Sequence, residues 1–308
     1  MKIEKKHNQI IINYHYIENP IKGSYSSHPC TLEEFERQIR YLSENYEIVD
    51  IETLYKRAQS GGPRSCAVTF DDGLRSQFEN AVPILQKYDA TATFFIISGV
   101  FEGFLPATHK NHILLSEHDT NHLIDRANVF FEKNKLEKFK ISKEKRITNK
   151  RKLRDDIPTA NLKETINILP SEKADVLLDW LLKDTGLNGI ILAKDLFMGK
   201  EEVKTLHDQG FIIGGHTHHH IALDTQPDDI VREEITKVLE SLKEITSEDV
   251  RIFSYPHGGI SEFAASEIKE KGITHALINS LGPVTKETDA YKIPRFDTKD
   301  LAIYLDKN

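Results

Sequence analysis

Cysteine is scarce. The chain has two among 308 residues, Cys30 and Cys66, far apart and in no CxxC pair. That excludes a disulfide-stapled scaffold and a cysteine zinc ribbon, and both are expected as free thiols in a reducing compartment. Long apolar runs are missing too, since none approaches the roughly 18 residues of a membrane-crossing helix. The opening MKIEKKHNQIIINYHY holds a short apolar stretch broken by Asn13 and His15, too short for the core of an export signal. Positive charge is not in excess. Lys and Arg number 41 against 48 Asp and Glu, a net charge of −7, which disfavours a globally basic nucleic-acid binder. No internal repeat recurs at about 20–50 residues. These absences leave a cytoplasmic protein without a transmembrane segment, and 39% hydrophobic against 29% charged residues is enough for a buried core.

What the chain does have is alternation. Short β-branched or aromatic runs ending in turn residues predict buried strands at 9–14, 66–70, 91–97, 211–215, 251–255, 273–278 and 291–296. Helical patterns lie between them at 31–46, 76–87, 200–209, 228–245 and 261–271. In the first, Leu32, Phe35, Ile39 and Leu42 share a face, and Thr31 with Glu34 forms a capping box. Strands alternating with helices predict an α/β fold with a parallel sheet and helices outside.

Residues 101–199 depart from the rhythm, with helical patterns and no strand. They hold His109, His112, His118 and His122, then eleven Lys or Arg against five Asp or Glu in 132–156, then Trp180. We read them as a large helical insertion in one domain spanning 1–308. The histidines are expected to be solvated, the basic stretch to form a solvated helical face, and Trp180 to pack inside.

Two segments carry chemistry. In Val68-Thr69-Phe70-Asp71-Asp72-Gly73 a buried strand ends in adjacent carboxylates, and neighbours on a strand face opposite ways. One can then bind a metal while the other faces substrate, at the strand end where parallel α/β folds place their sites. The strand at 211–215 likewise runs into His216-Thr217-His218-His219-His220. Histidines four apart can converge on one metal, and with a carboxylate they leave a coordination position open for water.

TFDDG (69–73) and HTHHH (216–220) resemble the first two motifs of the polysaccharide deacetylases, the NodB-homology group or carbohydrate esterase family 4. Both follow an apolar strand in that family's chain order, and Tyr14-His15 is similar to the opening of a branch with a rearranged barrel. The resemblance covers about 8–100 and 198–297. It implies a distorted (β/α)7-type barrel that hydrolyses an N-acyl group from an amino sugar. It further implies one divalent ion on Asp72, His216 and His220, zinc first with cobalt, nickel or iron as alternatives, and Asp71 as general base.

The third family motif, Arg-x-Pro-aromatic-Gly, here reads Ser254-Tyr255-Pro256-His257-Gly258. Its backbone N–H at His257 could still serve as an oxyanion donor, with Tyr255 and Pro256 beside the substrate. The missing arginine is replaced, on this reading, by Arg295. The usual late histidine is missing too, and His15 is the candidate general acid, since an imidazole exchanges protons near neutral pH. The expected partner is an acylated amino sugar, and without an export signal an intracellular or nucleotide-linked precursor of a surface glycan fits. Deformylation, a non-sugar amidase, and a non-catalytic carbohydrate-binding protein stand as alternatives.

Overall fold

The computed structural model describes residues 3–4, 6–20, 29–148 and 155–306. They divide into two compact units, the first holding the chain as far as Glu102 and again from Lys194 onward, the second Gly103–Ala193.

The first unit is built on strands β1 (Gln9–Tyr14), β2 (Glu47–Ile48), β3 (Ser65–Phe70), β4 (Thr93–Ile96), β5 (Ile212–Gly215), β6 (Ile252–Ser254), β7 (His275–Leu277) and β8 (Phe296–Asp297). Every pairing among them is parallel, in the order β7-β6-β5-β4-β3-β1-β8, with β2 set beside β3. The last segment closes the ring. Ile293 pairs with Leu277 of β7, and three residues later β8 pairs with Ile12 and Asn13 of β1. This is the distorted (β/α)7-type barrel that the motifs imply.

The continuous strand expected at 291–296 is not formed. Pro294 cannot donate to a ladder, and the chain changes partner there, from β7 to β1. Four other expected strands, at 91–97, 211–215, 251–255 and 273–278, are each shorter by one to three residues. The two-residue β2 is too short to leave a periodic signal. The helix expected at 76–87 begins as a π-helical turn, Gln77–Ala81, before α-helical Val82–Lys87. Pro83 lacks the N–H that a regular α-ladder needs at that point.

Strand alternation sorts side chains into two layers. Ile11, Ala67, Phe95, Ile252 and Leu277, one from each of five strands, form an inner cluster with Ile293 and with Ile51 and Leu54 of a neighbouring helix. The intervening Ile10, Ile12, Val68, Phe70 and Phe94 belong to the outer core, which the surrounding helices cover. Gly214 leaves room for the inner layer: a Cβ there would lie 2.5 Å from the Phe95 ring. The covering helices are α1 (Leu32–Asn45), α2 (Ile51–Ser60), α3 (Val82–Lys87) and, after the second unit, those at Lys200–Asp208, Asp228–Thr246, Glu262–Glu270 and Thr298–Leu305. Thr31 caps α1 through the bond from Glu34 N, but the Glu34 carboxylate accepts from Arg37 and Gln38, so only the Thr31 half of the expected capping box forms.

Both cysteines are buried and free. Burial pushes the Cys30 thiol up to about 11 and Cys66 higher still, so neither is a ready nucleophile.

In the second unit, helices at Ala107–Glu117, Thr120–Lys133, Ile157–Ile168 and Ser171–Asp184 bury Ile113, Leu123, Phe131, Leu162 and Leu178. Trp180 is half-buried, its ring 5.6 Å from Phe130 and beneath the Arg126 guanidinium. The basic stretch is not the helical face expected of it. The helix stops at Lys133, and 134–148 are irregular apart from one 3-10 turn at Glu137–Phe139, while 149–154 lie outside the described residues. Its lysines are instead drawn to nearby acids, Lys140 to Glu132 and Lys143 to Asp125. No helix among the described residues is long and apolar enough to cross a membrane.

The closure makes a stability prediction. Ile293 is fully buried, whereas Ile303 is exposed. Ile293→Ala should cost about 2–5 kcal/mol in urea unfolding, and Ile303→Ala should stay within about 0.5 kcal/mol of the parent.

Candidate metal centre

The inner layer turns polar at the C-terminal ends of the strands. Asp71 follows β3 there and is buried with Arg295. The guanidinium grips the carboxylate with both arms, Nη1 to Oδ1 and Nη2 to Oδ2, each at 2.8 Å. Such a bidentate pair fixes orientation as well as charge. Arg295 also donates to Asn13 Oδ1 at 2.8 Å and to Ser254 Oγ at 3.1 Å. Asn13 in turn donates to Asp71 Oδ2 at 3.0 Å and accepts from Thr69 Oγ1 at 2.9 Å. Burial alone would raise the Asp71 carboxyl. The charge of Arg295, then that of His216, and the hydrogen bonds from Arg295 outweigh it and hold the group well below the usual carboxylate range. Ser254 stands where the family motif has its arginine, and its hydroxyl touches the guanidinium that arrives from the barrel's last strand instead.

Asp72 leaves the strand with φ of 78°, which turns its carboxylate away from Asp71 and toward the loop after β5. One ligand atom each of Asp72, His216 and His220 lies within 4.8 Å of the others, the one cluster of its kind among the described residues. Ligands on a tetrahedral ion with bonds of about 2.05 Å stand about 3.3 Å apart. Asp72 Oδ1 is 3.4 Å from His216 Nε2 and 3.3 Å from His220 Nε2. The donor set therefore fits a small divalent cation. His216 Nδ1 meets the Ser254 carbonyl at 2.6 Å, so it carries the proton and leaves Nε2 as the ligating nitrogen. Burial pushes His220 down to about 3 despite Asp72, so it is neutral and able to ligate. Burial works against a charged His216 as well, but the carboxylates of Asp71 and Asp72 override it and raise that group.

His15 directly follows β1, 43% exposed at its side chain, with Nε2 3.9 Å from Asp71 Oδ2. The structure thus brings Asp71, Asp72, His15, His216, His220 and Arg295 together. His257 lies at the same mouth, exposed, its ring 4.8 Å from that of His220. Gly258 follows with φ of 78°, and a Cβ there would lie 2.9 Å from Asn279. Tyr255 does not offer its side chain to a substrate. It is fully buried against Phe253, and Pro256 beside it is buried too, so both shape the turn that presents His257. Asp72, Thr217, His220 and His257 all have positive φ, four of the seven described non-glycine residues that do. Strained backbone thus gathers at the mouth, as it does at functional sites. The histidines at 109, 112, 118 and 122 add no second cluster among the described residues, and they are not the solvated run expected, since His109 is fully buried, His112 and His118 are half-buried and only His122 is exposed.

Sequence reasoning passes over Asn13, Ser254 as a partner of Arg295, and Gln77. Gln77 is buried in the π-helical turn and donates to the carbonyls of Asp71 at 2.6 Å and His15 at 3.0 Å. A π-helical turn beside a site is a recurrent signal, but only coordinates reveal it.

Two histidines and a carboxylate that could hold a divalent ion thus stand beside a pinned acid, at the strand C-termini where parallel barrels place their sites. Comparison narrows the class. The sequence profile of the polysaccharide deacetylases matches residues 58–130 and 154–276, more than half of the chain, and the chain belongs to that family. The match also reaches into the helical region that the motif resemblance leaves aside. Among curated relatives, a poly-beta-1,6-N-acetyl-D-glucosamine N-deacetylase of Staphylococcus aureus is 34% identical over 109 residues, 31% of this chain and 38% of that protein. A peptidoglycan-N-acetylmuramic acid deacetylase of Bacillus subtilis, PdaA, is 34% identical over 71 residues, 23% of this chain and 27% of that one. The alignments thus span about a third of those relatives. In fold, the Streptococcus pyogenes deacetylase PplD has a TM-score of 0.61 at 14% identity, over 97% of this chain and 98% of its own. IcaB from Ammonifex degensii has 0.60 at 15% identity, over 97% of both.

Removing one member of the buried pair should be expensive. Arg295→Met is expected to lower stability by about 3–5 kcal/mol in guanidinium unfolding, because Asp71 is left charged without a partner. Combining it with Asp71→Leu should recover most of that loss.

Proposed function

We propose that the chain is a metal-dependent N-deacetylase, removing the N-acetyl group of an amino sugar within a glycan or glycan precursor. The observation that carries this reading is the convergence of Asp72, His216 and His220 next to a carboxylate that Arg295 and Asn13 hold ionised. Zinc is the proposed ion, since the ligand spacing suits a tetrahedral site, with cobalt, nickel and iron compatible in donor type.

When bound, the cation supplies Lewis acidity toward the acyl oxygen and toward water, which offsets the low basicity of Asp71. Asp71 takes the proton of the attacking water, and Arg295 keeps its oxygens aimed. The backbone N–H of His257 is the proposed donor to the oxygen that becomes anionic as the carbonyl carbon turns tetrahedral. His15, on the open side of Asp71, gives a proton to the departing amine. The products are acetate and a free amino sugar.

The relatives named above act, by name, on poly-β-1,6-N-acetylglucosamine and on peptidoglycan, and this supports N-acetylglucosamine oligomers as the first substrate to test. A nucleotide-linked N-acetyl sugar is the second arm. Its preference would place the reaction in the cytoplasm.

Free amine should be measured with both substrate arms. Asp71→Asn is expected to lower the rate about 10²–10⁴-fold while the protein still binds zinc. Asp72→Asn should lose the metal and the activity together, and a chelator should abolish turnover until zinc returns. Turnover unchanged in Asp71→Asn would overturn the assignment of the base.

A further inference from the structure

The ligand loop is fixed by a carboxylate that touches neither ligand. Between His216 and His220 the backbone takes positive φ at Thr217 (60°) and again at His220 (58°), so the chain is kinked on both sides of His218 and His219. Successive N–H groups in such a bend converge and form an anion-binding hollow. Glu234 fills it from the helix Asp228–Thr246. Its Oε2 accepts from His218 N at 3.0 Å and from His219 N at 2.7 Å, and its Oε1 lies 2.6 Å from His219 Nδ1. Glu234 is itself buried.

The opposite side of the loop is held by the turn after β4. Gly99 N donates to the His218 carbonyl at 2.8 Å, and Ser98 Oγ meets His218 Nδ1 at 2.8 Å. Gly99 has to be glycine for this approach, since a Cβ there would lie 2.6 Å from that carbonyl oxygen. The middle of the HTHHH loop is therefore clamped between a helix and a turn, and the two residues at its ends are left to face Asp72.

We propose that Glu234 is the positioning residue of the metal centre, holding the loop bent so that His216 and His220 meet the cation at the spacing described. His218 and His219 belong to the motif for the same reason, as anchors of that clamp. This deepens the metal-site reading above and rests on it. Groups that orient ligands commonly contribute about 10–100-fold in metal affinity.

The test is zinc affinity by chelator competition on the full chain, together with the visible spectrum of the cobalt-loaded protein. Glu234→Ala should bind zinc about 10–100-fold more weakly at unchanged far-UV circular dichroism, with an altered cobalt spectrum. Glu234→Gln, which keeps one oxygen acceptor, should fall between it and the parent. Parent-like affinity and spectrum in Glu234→Ala would overturn the proposal. If that variant does not fold, Glu234→Gln decides: weaker zinc binding with a shifted spectrum supports the clamp, and parent-like values overturn it. A parent protein that binds no zinc or cobalt would instead sink the metal-site reading, whatever the variants do.

Discussion

The structure turns on one buried pair, the Asp71 carboxylate and the Arg295 guanidinium. Taking two charges out of water is costly, and their attraction repays it only when the geometry is good and the remaining polar atoms are satisfied. Asn13, Ser254 and, through Asn13, Thr69 meet that condition. The pair lies above the apolar inner cluster, and the Arg295 guanidinium is 5.8 Å from the centre of the Phe95 ring. The same contact that aims the acid also ties the last strand to the strands before it.

Around that pair the fold separates two carboxylates that are neighbours in sequence. Asp71 continues the inward alternation of β3 and stays among hydrogen-bond donors. Asp72 takes a left-handed backbone conformation and leaves toward the histidines. A single residue of backbone strain thus gives two adjacent acids different partners. The strain is held because both flanks are tied down, by Arg295 on one side and by the β5 loop on the other.

Much of this was legible in the chain. The period of the strands and their alternation with helices predict the parallel barrel, and the DDG and HTHHH segments predict the residues that converge. Arg295 was legible from a gap, since the third motif lacks its arginine. What stayed hidden has a common cause: it depends on which residues meet across strands. Asn13 reads as an ordinary strand residue until Arg295 and Asp71 are placed beside it. Glu234 is one acid among several on a charged helix. The break at Pro294 looks like a strand because its flanks are apolar, and only the change of partner from β7 to β1 explains it. The basic run was expected to be helical, but most of it is irregular, and the acids that attract Lys140 and Lys143 sit on the helix Thr120–Lys133 before it.

Asp71 and Arg295 lie 224 positions apart, and this separation matters while the chain is being made. At about 5–20 residues per second, a ribosome delivers the guanidinium roughly 10–45 s after the acid. Until Arg295 emerges and the seam beside Ile293 shuts, the acid has to stay hydrated. The nascent protein can therefore collapse most of its strands early, but the barrel closes only after Arg295 has been synthesised.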